Sequence, residues 1–183
     1  GVSCVNALSD YLRAEVHREG KIFVQEYSKG KPKADVTVVG EASDTGTIIT
    51  FHPDAEIFTV TTEYKYNTLA ARLRELAYLN KGIRLTLTDM REKLTDENGN
   101  PTDEYRSEVF YSKEGLKEFV DYLDAGAEKL TEHPIYLETD KIIPIEIALQ
   151  YNTGFSEKLY SYVNNINTIE GGTHLQGFKM GLT

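Results

Sequence analysis

Cysteine occurs once in this chain, at Cys4, and long apolar runs do not occur at all. A single cysteine excludes an internal disulfide framework and fits a reducing compartment such as the cytoplasm, with Cys4 expected as a small buried residue. No apolar stretch approaches the roughly 20 residues of a membrane-spanning helix, and no charged-then-apolar leader opens the chain. Positive charge is also in short supply: 20 Lys and Arg stand against 29 Asp and Glu, a formal net charge of -9. Such a chain is a poor electrostatic partner for the phosphate backbone, so any work on DNA must rely on other parts of a longer protein. The four histidines, His17, His52, His133 and His174, stand far apart, and none has a second ligand at metal spacing. The carboxylates are numerous, but no pair of them declares an acid–base couple. No internal repeat or low-complexity tract is evident.

What is present is enough for a core: 183 residues, 40% of them hydrophobic, suffice for one domain or two small ones. "YLRAEVHREGKIFVQEY" reads as a hairpin, with Leu12, Ala14 and Val16 alternating against Arg13, Glu15 and His17 and with Gly20 at the turn. "VTVVG" and "GTIITF" read as a second strand pair around "EASDT", with Thr47, Ile49 and Phe51 on one face. In "YNTLAARLRELAYLNKG" the residues Tyr66, Leu69, Ala70, Leu73, Leu76 and Ala77 form one helical stripe that Gly82 is placed to end. "IRLTLTD" and "YRSEVFY" are strands flanking the polar stretch "REKLTDENGNPTDE". From Ser112 the pattern restarts, with a helix in "SKEGLKEFVDYLDAG", strands in "IYLETD" and "IPIEIALQY", and a further strand from Leu159 to Asn164. The class is α+β, and a domain boundary is expected near Tyr111, giving parts 1–111 and 112–183.

Two glycine positions stand out. Gly171 and Gly172, before "THLQGF", mark a strand-to-helix junction, where Thr173 can cap the first helical turn. Gly1 stands at the start of a helix in which Val2, Val5 and Leu8 follow helical spacing. A helix start of this kind exposes N–H groups that attract phosphate, and a plain cap is the competing reading. The opening also looks like a cut through an element, as expected for a fragment of something longer.

Four segments carry a resemblance. "GVSCVNALS" looks like the stretch after a glycine-rich ATP lid, "TGTIITFHPD" like the strand behind the nucleotide, "LAARLRELAYLNKGI" like a hallmark helix and turn, and "GGTHLQGF" like a transducer junction. In this order, over essentially the whole chain, they resemble the B subunits of bacterial DNA gyrase, the ATPase subunits of a type II topoisomerase. The topoisomerase IV B subunit is similar in layout, but "LRELAYLNKG" and "YVNNINT" fit gyrase better. Another GHKL ATPase, such as a mismatch-repair ATPase or a chaperone, would share the fold but not these motifs. A noncatalytic interaction module is the alternative from a different class.

The resemblance implies the C-terminal part of a GHKL-type ATPase α/β sandwich in 1–111 and most of an α/β transducer domain in 112–183. It implies ATP and Mg²⁺ as cofactors. Gly1 matches the last lid glycine, Val2 and Ile49 match apolar walls of the adenine pocket, and Thr47 matches the threonine that helps read adenine through a water. Gly46 lets the strand come close, and Arg18 in "HREGK" matches an arginine contacted by aminocoumarin inhibitors. No catalytic residue and no metal ligand is carried over. The family's general-base glutamate and magnesium-binding asparagine are expected before Gly1, and its Gln-Thr-Lys motif after Thr183. Implied partners are the gyrase A subunit in a heterotetramer of two A and two B chains, a second B subunit on ATP binding, and DNA. The implied activity is the coupling of ATP binding and hydrolysis to duplex passage and negative supercoiling, in the cytoplasm, with this chain alone inactive.

Overall fold

A computed structural model describes residues 1–183, which divide into two compact units, Gly1–Tyr64 and Lys65–Thr183. The first opens with α1 (Val2–Ala7), a short helix whose C-terminal end feeds directly into β1 (Ser9–Arg18). At this join the Ser9 hydroxyl, fully buried, donates to the Val5 carbonyl at 2.6 Å, and Asp54 N–H donates to the Leu8 carbonyl at 3.0 Å. Cys4 is exposed rather than buried, because a helix this short has too little of its surface covered to hide it.

β1 pairs with β2 (Lys21–Ser28) in an antiparallel hairpin closed by Glu19 and Gly20, both at positive φ. That conformation twists in the same sense as the strands it joins, which is why the glycine stands there. The two-residue β3 (Lys31–Pro32) lines one end of β2, while β4 (Thr37–Glu41) lines the other. β5 (Gly46–Pro53) pairs with β1 on the far side. The expected pairing of β4 with its sequence neighbour β5 is therefore corrected: the connecting loop carries the chain across the sheet, and the two strands occupy opposite edges of the β2–β1 pair. Alternation in the sequence marks both strands but does not choose their partners.

In the second unit α2 (Tyr66–Leu79) lays its apolar stripe on the hairpin of β6 (Arg84–Thr95) and β7 (Pro101–Tyr111). Tyr66, Ala70, Ala77 and Phe110 form the buried core, joined by Leu73, Leu85 and Leu87. Small alanines at the contact let the helix backbone sit close to the strands. The hairpin is longer than the sequence suggests, since the polar stretch after Asp89 continues the ladder through register shifts to a turn at Asp96–Asn100. There one Asp96 carboxyl oxygen accepts from the N–H groups of Asn98 and Asn100.

α3 (Leu116–Leu123) follows, with Phe119 buried. Then come the hairpin β8 (Ile135–Thr139) with β9 (Ile145–Leu149), a small hairpin of β10 (Tyr162–Val163) with β11 (Ile166–Asn167), and α4 (Thr173–Leu182). The strand expected over 159–164 shrinks to two residues, because Asn164 and Asn165 both take positive φ and reverse the chain. Asparagine tolerates that region through local hydrogen bonding. At the glycine pair, Gly172 rather than Thr173 is the N-cap of α4, without a side-chain cap bond. A Cβ there would meet the His174 ring at 2.8 Å, so a side chain at this position would displace the ring.

Candidate functional site

All six residues singled out from the sequence lie in the first unit, and strand register decides how three of them relate. Thr47 opposes Val16, and Ile49 opposes Ala14. Side chains two apart on a strand share a face, so Val16 and Ala14 carry Thr47, Ile49 and, one step further along β1, Arg18 on a single face of the sheet. Phe51, opposite Leu12, extends that face. Leu12 is buried at 2% exposure, whereas Ile49 and Phe51 are open at 36% and 40%. On β1 and β5 the result is an apolar strip with one hydroxyl, Thr47, and one guanidinium, Arg18, at its hairpin end, while Gln25 and Tyr27 on β2, bonded to each other at 2.6 Å, continue the same face.

Gly46 begins β5 opposite His17 and has nothing within 4 Å of the place a Cβ would take. Arg18 reaches into solvent and donates from Nε to Glu19 at 3.1 Å. Its planar donor fork is thus held only by a neighbouring, exposed carboxylate, and is free to turn toward a ligand carbonyl. Gly1 and Val2 come from α1 instead of the sheet. The Gly1 carbonyl accepts from the N–H groups of Cys4 and Val5, and Val2 is 58% exposed. No hydrogen bond ties either residue to β5, so the structure unites Arg18, Thr47 and Ile49 by register and leaves Gly1 and Val2 on a separate element.

On the opposite face, sequence reading missed a charged cluster. His17 bonds Glu15 Oε1 through Nε2 at 2.9 Å and Asp44 Oδ1 through Nδ1 at 2.7 Å, and Arg13 pairs with Glu15 at 2.5 Å. Hydrogen bonds to the carboxylates of Glu15 and Asp44 raise the imidazole above its usual value, while His17 in turn lowers both carboxyl groups. Glu15 and His17 are two apart on a strand, which is a legible signal; the approach of Asp44 depends on the path of the loop between β4 and β5. No set of three or more His, Cys, Asp or Glu side chains converges in a manner that could hold a metal ion. A cavity of about 160 Å³, lined by Arg74, Tyr78, Phe119, Tyr122 and Tyr160 among others, lies wholly within the second unit and includes none of the six residues.

Comparison with known proteins decides the ancestry. A family model for DNA gyrase B matches residues 115–183. Over the whole chain, the DNA gyrase B protein of Eisenibacter elegans is 60% identical, that of Cytophaga hutchinsonii 54%, and that of Halalkalibacterium halodurans 51%. The chain belongs to the DNA gyrase B family. It spans 37% of the first two relatives and 27% of the third. Among solved structures, the 43K ATPase domain of Thermus thermophilus gyrase B in complex with an aminocoumarin superposes with a TM-score of 0.81 at 36% identity, covering 97% of this chain and 46% of that one. The expected α+β architecture, part of a gyrase B ATPase region, therefore stands. No helix is long and apolar enough to cross a membrane.

Proposed function

We propose that this chain supplies one wall of an ATP site, together with part of the lever that responds to it, in a topoisomerase that couples ATP binding and hydrolysis to duplex passage and negative supercoiling. The observation that carries the reading is the shared face of Arg18, Thr47 and Ile49, on a chain similar throughout to gyrase B proteins. An apolar strip bearing a single hydroxyl suits a purine: the ring lies against Ile49 and Val2, and Thr47 offers a hydrogen bond, directly or through water, to its polar edge. Gly46 adds closeness without bulk, and Gly1 faces the phosphates. The domain partition proposed is 1–111 for the ATPase part and 112–183 for the transducer part. It differs from the division into compact units at Tyr64, and the start of the family match at residue 115 favours it.

By the family resemblance, the magnesium ligands and the base that would act on the attacking water lie outside these residues. Partners on this reading are a gyrase A subunit, a second B subunit and DNA, in the cytoplasm. The test is Thr47→Ala in a full-length subunit carrying these residues. Nucleotide affinity measured by calorimetry should fall by about 1–3 kcal/mol, the loss of a hydrogen bond at a site that binding desolvates. Unchanged affinity would remove Thr47 from the site.

A further inference from the structure

We propose that His17 is a positioning residue for the start of β5, holding Gly46 and Thr47 in place through a pH-dependent link to Asp44. The inference rests on the reading of β5 as a nucleotide-facing wall. His17 stands directly opposite Gly46 in the ladder, and Asp44 lies two residues before Gly46. The bond from His17 to Asp44 therefore ties the loop entering β5 to the strand that carries Arg18. The other ties are the Ala42 N–H, which donates to the Gly20 carbonyl at 3.0 Å in the hairpin turn, and the ladder of β1 with β5 itself; His17 to Asp44 is the side-chain link among them. β5 pairs on one side only, with β1, and Gly46 contributes no side chain and has no neighbour packed where one would be.

Both ring nitrogens face carboxylate oxygens, and only the imidazolium has a proton for each. Neutral imidazole must give up one bond. Glu15 retains Arg13 as a partner and is 17% exposed, whereas the Asp44 side chain is 69% exposed and easily hydrated. Deprotonation thus releases Asp44. The other groups around His17 do not compete: Ile22 opposes it on β2, Gly46 and Ile48 line β5 on that face, and Arg18 and Lys21 project to the opposite face. The charges that govern it are Glu15 on its own strand, which Arg13 also pairs with, and Asp44 on the loop, and hydrogen bonds donated to the two carboxylates raise the pH at which it titrates.

The experiment uses the full-length subunit carrying these residues, with an aminocoumarin and a non-hydrolysable ATP analogue as probes. Affinities are measured by calorimetry from about pH 5.5 to about pH 9, spanning the histidine range. Unsubstituted subunit should lose about fivefold in affinity as pH rises through the His17 titration, the low end of a typical coupling between two sites. His17→Gln and Asp44→Ala should bind with the weaker affinity throughout, so that the difference from the unsubstituted subunit vanishes at high pH. In parallel, NMR of the His17 ring and of the Gly46 and Thr47 amides should give one common midpoint, lost in Asp44→Ala. A pH profile unaltered by either substitution, or amide signals indifferent to the ring, would overturn the proposal. Amides that follow the ring in a subunit that binds neither probe at any pH would leave the link intact and overturn the nucleotide reading and, with it, the role in binding.

Discussion

On the proposed reading, Arg18 distinguishes two kinds of ligand. It sits at the rim of the shared face, with 74% of its side chain exposed and only Glu19 to hold it, so it contributes little to folding. A guanidinium in that position can donate several hydrogen bonds to a carbonyl-bearing inhibitor that reaches the hairpin, whereas a nucleotide seated against Ile49 lies further along the strand. Arg18→Leu in the full-length subunit should therefore weaken aminocoumarin binding by about tenfold or more, the worth of a charge-assisted hydrogen bond, and leave ATP binding within about twofold. Parallel titrations with both ligands check this, and equal losses would make the residue a structural one. Arg18 also shows how much a single strand reveals: its place on the face of Thr47 follows from alternation once the register of β1 and β5 is known, and the sequence holds the alternation but not the register.

At the scale of elements, the start of α3 offers a sharper test of packing than its apolar face does. Ser112 is wholly buried, its hydroxyl accepting from Gly115 N–H at 2.8 Å and donating to Glu118 at 2.9 Å, while Glu118 reaches back to Glu114 N–H at 3.0 Å. These bonds satisfy two backbone N–H groups in the turn that enters α3. Ser112→Ala strands the Gly115 N–H in a site closed to water and should cost about 1–3 kcal/mol, read as a lowered midpoint in urea unfolding, whereas Ser112→Thr should recover part of it. The helix itself is legible from the spacing of Leu116, Phe119, Val120 and Leu123. So is α2, whose stripe reappears as the buried Tyr66, Ala70 and Ala77. Elements held by their own periodicity are readable in advance; elements chosen by partners are not. β4 leaves β5 for β2 because sheet order is a long-range choice, and the strand expected at 159–164 gives way to a turn because two asparagines can adopt positive φ. The same distinction applies to the site, where the motif residues are readable one by one but the link between His17 and Asp44 exists only after a loop has crossed the sheet.

For the whole molecule, the relevant question is whether residues 1–183 can turn over ATP by themselves. Hydrolysis needs a base to take a proton from the attacking water, a metal to bridge the phosphates and a cation for the charge that develops. The first unit offers a wall with one hydroxyl on β5; of the carboxylates around that strand, Asp10 bonds His52 at 2.8 Å, Asp54 pairs with Lys29 at 3.1 Å, and Glu15 and Asp44 are committed to His17 on the opposite face. The depressed proton affinity of Glu15 and Asp44 makes these two poorer bases still. Binding a purine against Ile49 would place the nucleotide but orient no water, and orientation is what makes the reaction effectively unimolecular. The purified 183-residue chain should accordingly release no phosphate above buffer in the presence of Mg²⁺, while a longer piece of the same subunit, extended at both ends, should release it. With a net charge of -9, neither result should depend on added DNA for the short chain, which has no excess of cations to hold it. Mg²⁺-dependent phosphate release by residues 1–183 that disappears with Glu15→Gln or Asp44→Asn would mean that one of these carboxylates reaches the nucleotide after all, and that the two faces of the sheet have been given the wrong roles.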